Sequence, residues 1–152
     1  MTNAATDAAM VPSASAPEQV LDTMISLTRI TPAHRVIVAG SDSMEFYLAL
    51  RRRGFIRVAT PEISRVPRGQ HAVGLMAGQS MLTGIEPVLV QISPFLAANA
   101  GLAVLVGSRE NGLKIRNRLE QLGFRIEAGV RCRAGLVLSA CRQGYTQIEQ
   151  AA

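Results

Sequence analysis

Arg35-Val-Ile-Val-Ala-Gly40-Ser-Asp-Ser-Met44 is the stretch that decides the fold. Val36 to Ala39 is uniformly apolar, which does not suit a half-exposed strand. Such a run belongs to a central strand of a parallel sheet, covered on both faces. Gly40 ends it, and Ser41-Asp-Ser-Met44 leads into an amphipathic stretch closed by Gly54. A strand, a glycine turn and a helix N-terminus are the parts with which α/β domains hold an anionic or polar ligand. Only the first glycine of such a turn is present. Side chains stand where backbone would have to approach a ligand closely.

Working outward, residues 1–16 are rich in Ala, Ser, Thr and Asn without a sustained period, which predicts a disordered tail. Pro17 and Glu18 suit a first helical turn. Val20, Leu21, Met24, Ile25 and Leu27 then give a helix one apolar side, and Pro32 is expected to terminate it. After the strand at 35–40, Phe46, Tyr47 and Leu50 mark the next helix, with Gly54 as its stop. Phe55 to Thr60 reads as a second strand. The segment 61–70 is too short and too proline-broken to hold another strand and helix. Ala72 to Ala77 is a third strand. A helix follows from near Pro87, using Val88, Leu89, Ile92, Phe95 and Leu96, and Pro94 is expected to bend it or end it early. Leu102 to Gly107 is a fourth strand. The next helix, from about Glu110 to Leu122, carries Ile115, Leu119 and Leu122 on its buried stripe, and Gly123 stops it.

The ending changes character. Phe124, Ile126, Ala128, Val130 and Cys132 alternate with Arg125, Glu127, Gly129, Arg131 and Arg133. Period two with charges on one side means an antiparallel strand with one wet face. Leu136 to Cys141 returns beside it around Ala134-Gly135. The expectation is an α/β three-layer sandwich, its mostly parallel sheet ordered 2-1-3-4 and extended by this hairpin. One domain at 17–142 and a C-terminal tail at 143–152 complete the outline.

Composition narrows the function classes. The chain has 152 residues, 48% of them hydrophobic, enough to bury one core. No apolar run reaches the roughly 18 to 20 residues that cross a bilayer, and the N-terminus lacks a basic region followed by a long apolar one. A cytoplasmic protein without a membrane partner is expected. The formal charge of +5 permits attraction to polyanions. Arg51-Arg52-Arg53 falls in the last turn of a helix, where cations offset the macrodipole. Arg57, Arg65 and Arg68 would extend that basic surface, but no aromatic residues interleave to stack bases. Cys132 and Cys141 make no disulfide framework. If Arg133 faces Leu136, then Cys132 faces Val137 and Cys141 faces Ala128, roughly 13 Å apart along the ladder. With only His34 and His71 besides, no metal-ligand cluster is legible.

The order of elements, closing on a hairpin, resembles the S-adenosylmethionine-dependent methyltransferase fold of the Rossmann-like class from about Arg35 to Arg142. Val36-Ile-Val-Ala-Gly40 looks like that family's first strand and glycine turn. Leu96-Ala-Ala-Asn-Ala-Gly101 with Leu102-Ala-Val-Leu-Val-Gly107 is similar to its helix end, small turn and next strand. Gly123-Phe-Arg-Ile-Glu127 matches its usual ending. The resemblance implies an acidic-x-G-x-G-x-G turn, and here Val38 stands at the acidic position while Asp42 and Met44 replace two glycines. It also implies a ribose-binding carboxylate at the end of the second strand, near Thr60, for which Glu62 stands slightly late. The strand and loop that flank adenine are compressed into 61–70.

These departures make the expected protein a degenerate methyltransferase-like domain. It would bind a small ligand, a protein partner or a second copy of itself, with no cofactor and no efficient methyl transfer. The alternative is an active methyltransferase, which would hold S-adenosylmethionine with Gly40, Ser41, Asp42, Glu62 and Gly78; its catalytic residues are not legible. A basic nucleic-acid-associated protein is the third reading. Asp42-Ser-Met-Glu45 also fits a capping box, which puts Asp42 to structural use.

Overall fold

The computed structural model describes residues 16–65, 67–77, 86–107 and 109–143. The expected tails at 1–16 and 143–152 lie outside these residues except at Ala16 and Gln143. Helix α1 spans Ala16–Thr28 and buries Val20, Leu21 and Met24. It ends well before Pro32. Arg29 takes a left-handed conformation (φ 57°) and donates its N–H to the Ile25 carbonyl. A turn closed by His34 N–H on the Thr31 carbonyl then delivers the chain to strand β1, Val36–Ala39.

Helix α2, Ser43–Arg52, buries Phe46, Ala49 and Leu50. Gly54 (φ 94°) closes it as the left-handed residue of a Schellman motif, with Gly54 N–H on the Arg51 carbonyl and Phe55 N–H on the Leu50 carbonyl. That cap, together with the Arg51 side chain on the Ile56 carbonyl, holds Phe55 and Ile56 out of the sheet. Strand β2 is therefore only Val58–Ala59, shorter than the expected 55–60.

Strand β3 is His71–Met76, and helix α3 is Glu86–Ile92, followed by a 3-10 turn through Pro94. Pro94 ends the helix early, as its missing N–H requires. Strand β4 then runs from Leu96 to Val106. The stretch 96–101, read from sequence as a helix end and a small turn, is strand. Ala, Asn and Gly have poor intrinsic strand preference, but pairing with β3 at one end and with the last strand at the other overrides it. Helix α4, Arg109–Gln121, buries Ile115 and Leu119, whereas Leu122, expected on the same stripe, is exposed.

Strands β5 (Phe124–Cys132) and β6 (Gly135–Arg142) form the expected hairpin, but in another register. Cys132 faces Gly135, Val130 faces Val137 and Arg125 faces Cys141. The turn is Arg133-Ala134, because Gly135 is already in the sheet beneath the Val106 carbonyl, where a Cβ would lie 2.3 Å from that oxygen. Both cysteines are free, and because Cys132 faces Gly135, six residue steps along β6 separate them by roughly 20 Å.

The sheet order is β2-β1-β3-β4-β6-β5, with β1 to β4 parallel and β6 antiparallel to both neighbours. This is the expected 2-1-3-4 order extended by the hairpin. Val36, Val38, Leu75, Ala103 and Val137 face α1 and α2 on one side. Ile37, Ala39, Met76, Leu102, Val104 and Leu138 face α3 and α4 on the other. Strand β1 is buried on both faces, so its sequence carries no alternation. The result is an α/β/α sandwich.

Candidate functional site

Strand β1 lies between β2 and β3, so the chain leaves it towards one neighbour and later returns on the other side. In open α/β sheets, ligands lie outside the carboxyl ends of the strands at such a switch point. Here that point is the turn Gly40-Ser41-Asp42.

Gly40 has φ 108°, and a Cβ there would stand 1.9 Å from the Ala77 carbonyl oxygen. Ala77 N–H donates to the Ala39 carbonyl at 3.1 Å, and Asp42 N–H reaches the Ala77 carbonyl at 3.4 Å. The glycine is thus required by the end of the neighbouring strand. Ser43 N–H turns back to the Gly40 carbonyl at 3.1 Å, so this first-turn donor is used internally.

Asp42 occupies the N-cap position of α2, but the expected capping box does not form. Its carboxylate makes no cap hydrogen bond, and its backbone (φ −98°, ψ 17°) is outside the extended region from which a cap side chain reaches the first turn. Ser41 and Glu45 are exposed, as is Met44.

Glu62 follows β2 in a single turn in which the N–H groups of Ile63 and Ser64 both meet the Thr60 carbonyl. Its carboxylate accepts a hydrogen bond from Gln91 Nε2 at 3.1 Å, which ties it to α3. Gly78 lies outside the described residues. Of the five residues expected to hold a cofactor, Gly40, Ser41 and Asp42 share one turn, while Glu62 is engaged elsewhere. The sheet ends at β2, and among the described residues 61–70 contains no strand or helix.

The histidines stand at the opposite end of the strands. His71 opens β3 fully buried, its Nδ1 3.2 Å from the Phe95 carbonyl and its ring edge-on to Phe95. Burial lowers its pKa from the usual 6.5; the Phe95 carbonyl opposes this and nearby Arg35 adds to it. The neutral ring donates Nδ1–H to Phe95, which is a structural role. Exposed His34 accepts the Thr31 N–H at Nδ1, 2.9 Å away.

The basic run also has partners. Arg53 pairs with Glu18 and Asp22 of α1, and Arg52 lies 3.5 Å from Glu18. Arg51 sits over the Tyr47 ring. Arg52 and Arg53 thus join α2 to α1. No group of three metal-ligating side chains occurs among the described residues, and none of their helices is long and apolar enough to cross a membrane.

The described residues also enclose a cleft of about 660 Å³, at the amino ends of the parallel strands and away from the switch point. Sequence reading missed it. The available signals were Gly101 and Ser139, small residues inside two otherwise apolar strands.

Solved structures share this fold. The chain superimposes on a precorrin-6y C5,15-methyltransferase from Geobacter metallireducens with a TM-score of 0.59 at 10% identity, over 84% of this chain and 89% of that one. A SAM-dependent methyltransferase from Aquifex aeolicus gives 0.57 at 10% identity, over 80% and 88%. The chain has the methyltransferase-like Rossmann fold. A precorrin-8w decarboxylase from Methanobacterium thermoautotrophicum also matches, at 0.51 and 13% identity over 83% and 89%. No protein-family model and no curated protein matches the chain. At such identities the likeness concerns the fold, and one fold hosts many chemistries.

Proposed function

We propose that this methyltransferase-like domain works as a binding module and does not carry out efficient methyl transfer. The observation that supports this most is the end of the sheet at β2. Beyond it no described strand or helix walls an adenosine, and Glu62 is turned to Gln91 of α3. Asp42 and Met44 add side chains to the turn where the resemblance leads one to expect glycines. Gly40 has a structural reason to be glycine in the contact with Ala77. Several contacts that a nucleoside cofactor needs are therefore weakened together.

Calorimetric titration of the full chain with S-adenosylmethionine tests the reading. The expected dissociation constant is no tighter than about 1 mM, equivalent to about 4 kcal/mol. Micromolar binding overturns it and favours the active methyltransferase. Such an enzyme needs little side-chain chemistry, because alignment of donor and acceptor supplies much of the rate.

A further inference from the structure

Three local irregularities converge on the cleft at the amino ends of the strands. The first is Gly101. It shares a sheet face with Val73 and Ala103, and a Cβ placed on it would meet only Val73 Cγ2 at 3.6 Å and the Ala140 carbonyl at 4.0 Å, both ordinary contacts. Packing would accept a side chain there. A glycine inside a strand weakens it, and at this position its effect is to leave the cleft floor open, beside the hydroxyl of buried Ser139.

The second is the register slip in β5. Ile126 faces Ala140 and Ala128 faces Ser139, so Glu127 is the extra residue of a bulge. Bulges re-aim side chains, and this one brings Glu127 and Ala128, consecutive in sequence, both to the cleft lining. Glu127 lines the cleft as an exposed residue with its carboxylate 3.6 Å from Arg125. Burial pushes the Cys141 thiol, also in the lining, above its ordinary range, and Glu127 pushes it further, with Arg125 opposing.

The third is Arg29, a non-glycine residue in the left-handed region at the end of α1. Glycine or asparagine would fill that position more comfortably. Arginine instead brings an exposed cationic residue to the cleft lining, which it shares with His34, whose Nδ1 is occupied by Thr31 N–H and whose Nε2–H is left as the donor.

We propose that this cleft binds a small zwitterion, an amino acid or short peptide with apolar side chains. Its ammonium lies against Glu127 and its carboxylate against Arg29 and His34, over a floor formed by Val73, Gly101 and Ser139. The cleft volume falls in the range of about 300–1,000 Å³ typical of small-ligand sites. Apolar lining from Leu27 and Ile30 suits the body of such a molecule. The site is separate from the Gly40 turn and does not rest on the state of the cofactor crevice.

The test is an amide NMR titration of the ¹⁵N-labelled full chain with leucine and with leucyl-leucine. N-acetyl-leucine lacks the ammonium and leucinamide the carboxylate, so they serve as controls. Saturable shifts are expected at Gly101, Glu127, Ser139 and Cys141, and the tighter of the two zwitterions tells the amino acid from the peptide. Each control is expected to bind about tenfold more weakly, as are Glu127→Gln and Arg29→Gly with the zwitterion. Gly101→Leu, which fills the floor, is expected to abolish the shifts; the two polar variants keep the test valid if that one does not fold. Absence of saturable shifts with both zwitterions up to about 10 mM, or controls that bind equally well, overturns the proposal. Titrating the same sample with S-adenosylmethionine separates the two readings. Shifts at Gly40 and Asp42 would count against the binding-module function and leave the cleft untouched.

Discussion

Replacing Gly40 with alanine is expected to remove much of the stability of this domain, with or without a ligand. A Cβ at Gly40 would lie 1.9 Å from the Ala77 carbonyl oxygen, whereas real Cβ atoms essentially never approach within 3.0 Å. The end of β3 must therefore retreat by more than an ångström. That retreat breaks the bond from Ala77 N–H to the Ala39 carbonyl and the longer one from Asp42 N–H to the Ala77 carbonyl. Two backbone hydrogen bonds at about 1 kcal/mol each, with about 1–2 kcal/mol for alanine at positive φ, give a loss of about 3–4 kcal/mol. Gly54→Ala supplies the internal comparison. Gly54 has a similar φ of 94° but nothing within 4 Å of the position a Cβ would take, so only the conformational cost of about 1–2 kcal/mol applies. Urea denaturation of the wild type and both variants, at equal slope, reads the difference directly. If Gly40→Ala costs no more than Gly54→Ala, the contact with Ala77 does not explain the glycine, and the turn is open to a ligand.

Acidification is expected to destabilise the protein through His71. Its folded pKa lies below the usual 6.5, so the unfolded chain binds the proton first, and stability declines as pH falls through 6.5 and levels off below the folded value. His71→Asn keeps a donor for the Phe95 carbonyl without titrating, and its urea midpoints between about pH 7.5 and about pH 5 should show a shallower slope; an unchanged slope refutes the assignment. Asp42→Gly is expected to change stability by less than about 0.5 kcal/mol, because no cap bond is lost, and to leave S-adenosylmethionine binding no tighter than about 1 mM in calorimetry. Binding to duplex DNA, followed by anisotropy, is expected to be weak and to vanish near physiological salt, since Arg52 and Arg53 are already paired with α1. Tight, sequence-selective binding at that salt would overturn this. Gly101→Ala is expected to raise stability by about 0.5–1 kcal/mol in urea melts, because its Cβ meets no clash and a flexible residue is removed from a strand; a loss refutes the account of the cleft floor.

The architecture was legible where burial leaves a local pattern. A strand covered on both faces must be apolar throughout, as Val36 to Ala39 is. The alternation over 124–133 marks an antiparallel strand, although the bulge at Glu127 puts Phe124 and Ile126 on the α3–α4 side and Cys132 on the other, so the expected single wet face does not form. Those two patterns, with glycine stops at Gly54 and Gly123 and a connection too short for another unit at 61–70, determine a parallel sheet ended by an antiparallel hairpin. Tertiary structure decided what depends on partners remote in the chain. Leu96 to Gly101 is strand because β3 and β6 lie alongside, not because Ala-Ala-Asn-Ala favours it. The hairpin register turns on the Val106 carbonyl above Gly135, and Glu127 becomes a bulge only through the pairing of Ile126 and Ala128 with β6. Glu62 faces Gln91, and Arg53 faces Glu18, across separations that no local period encodes. The cleft is invisible in sequence for the same reason. A cavity is the space that several segments fail to fill, and only their packing together defines it.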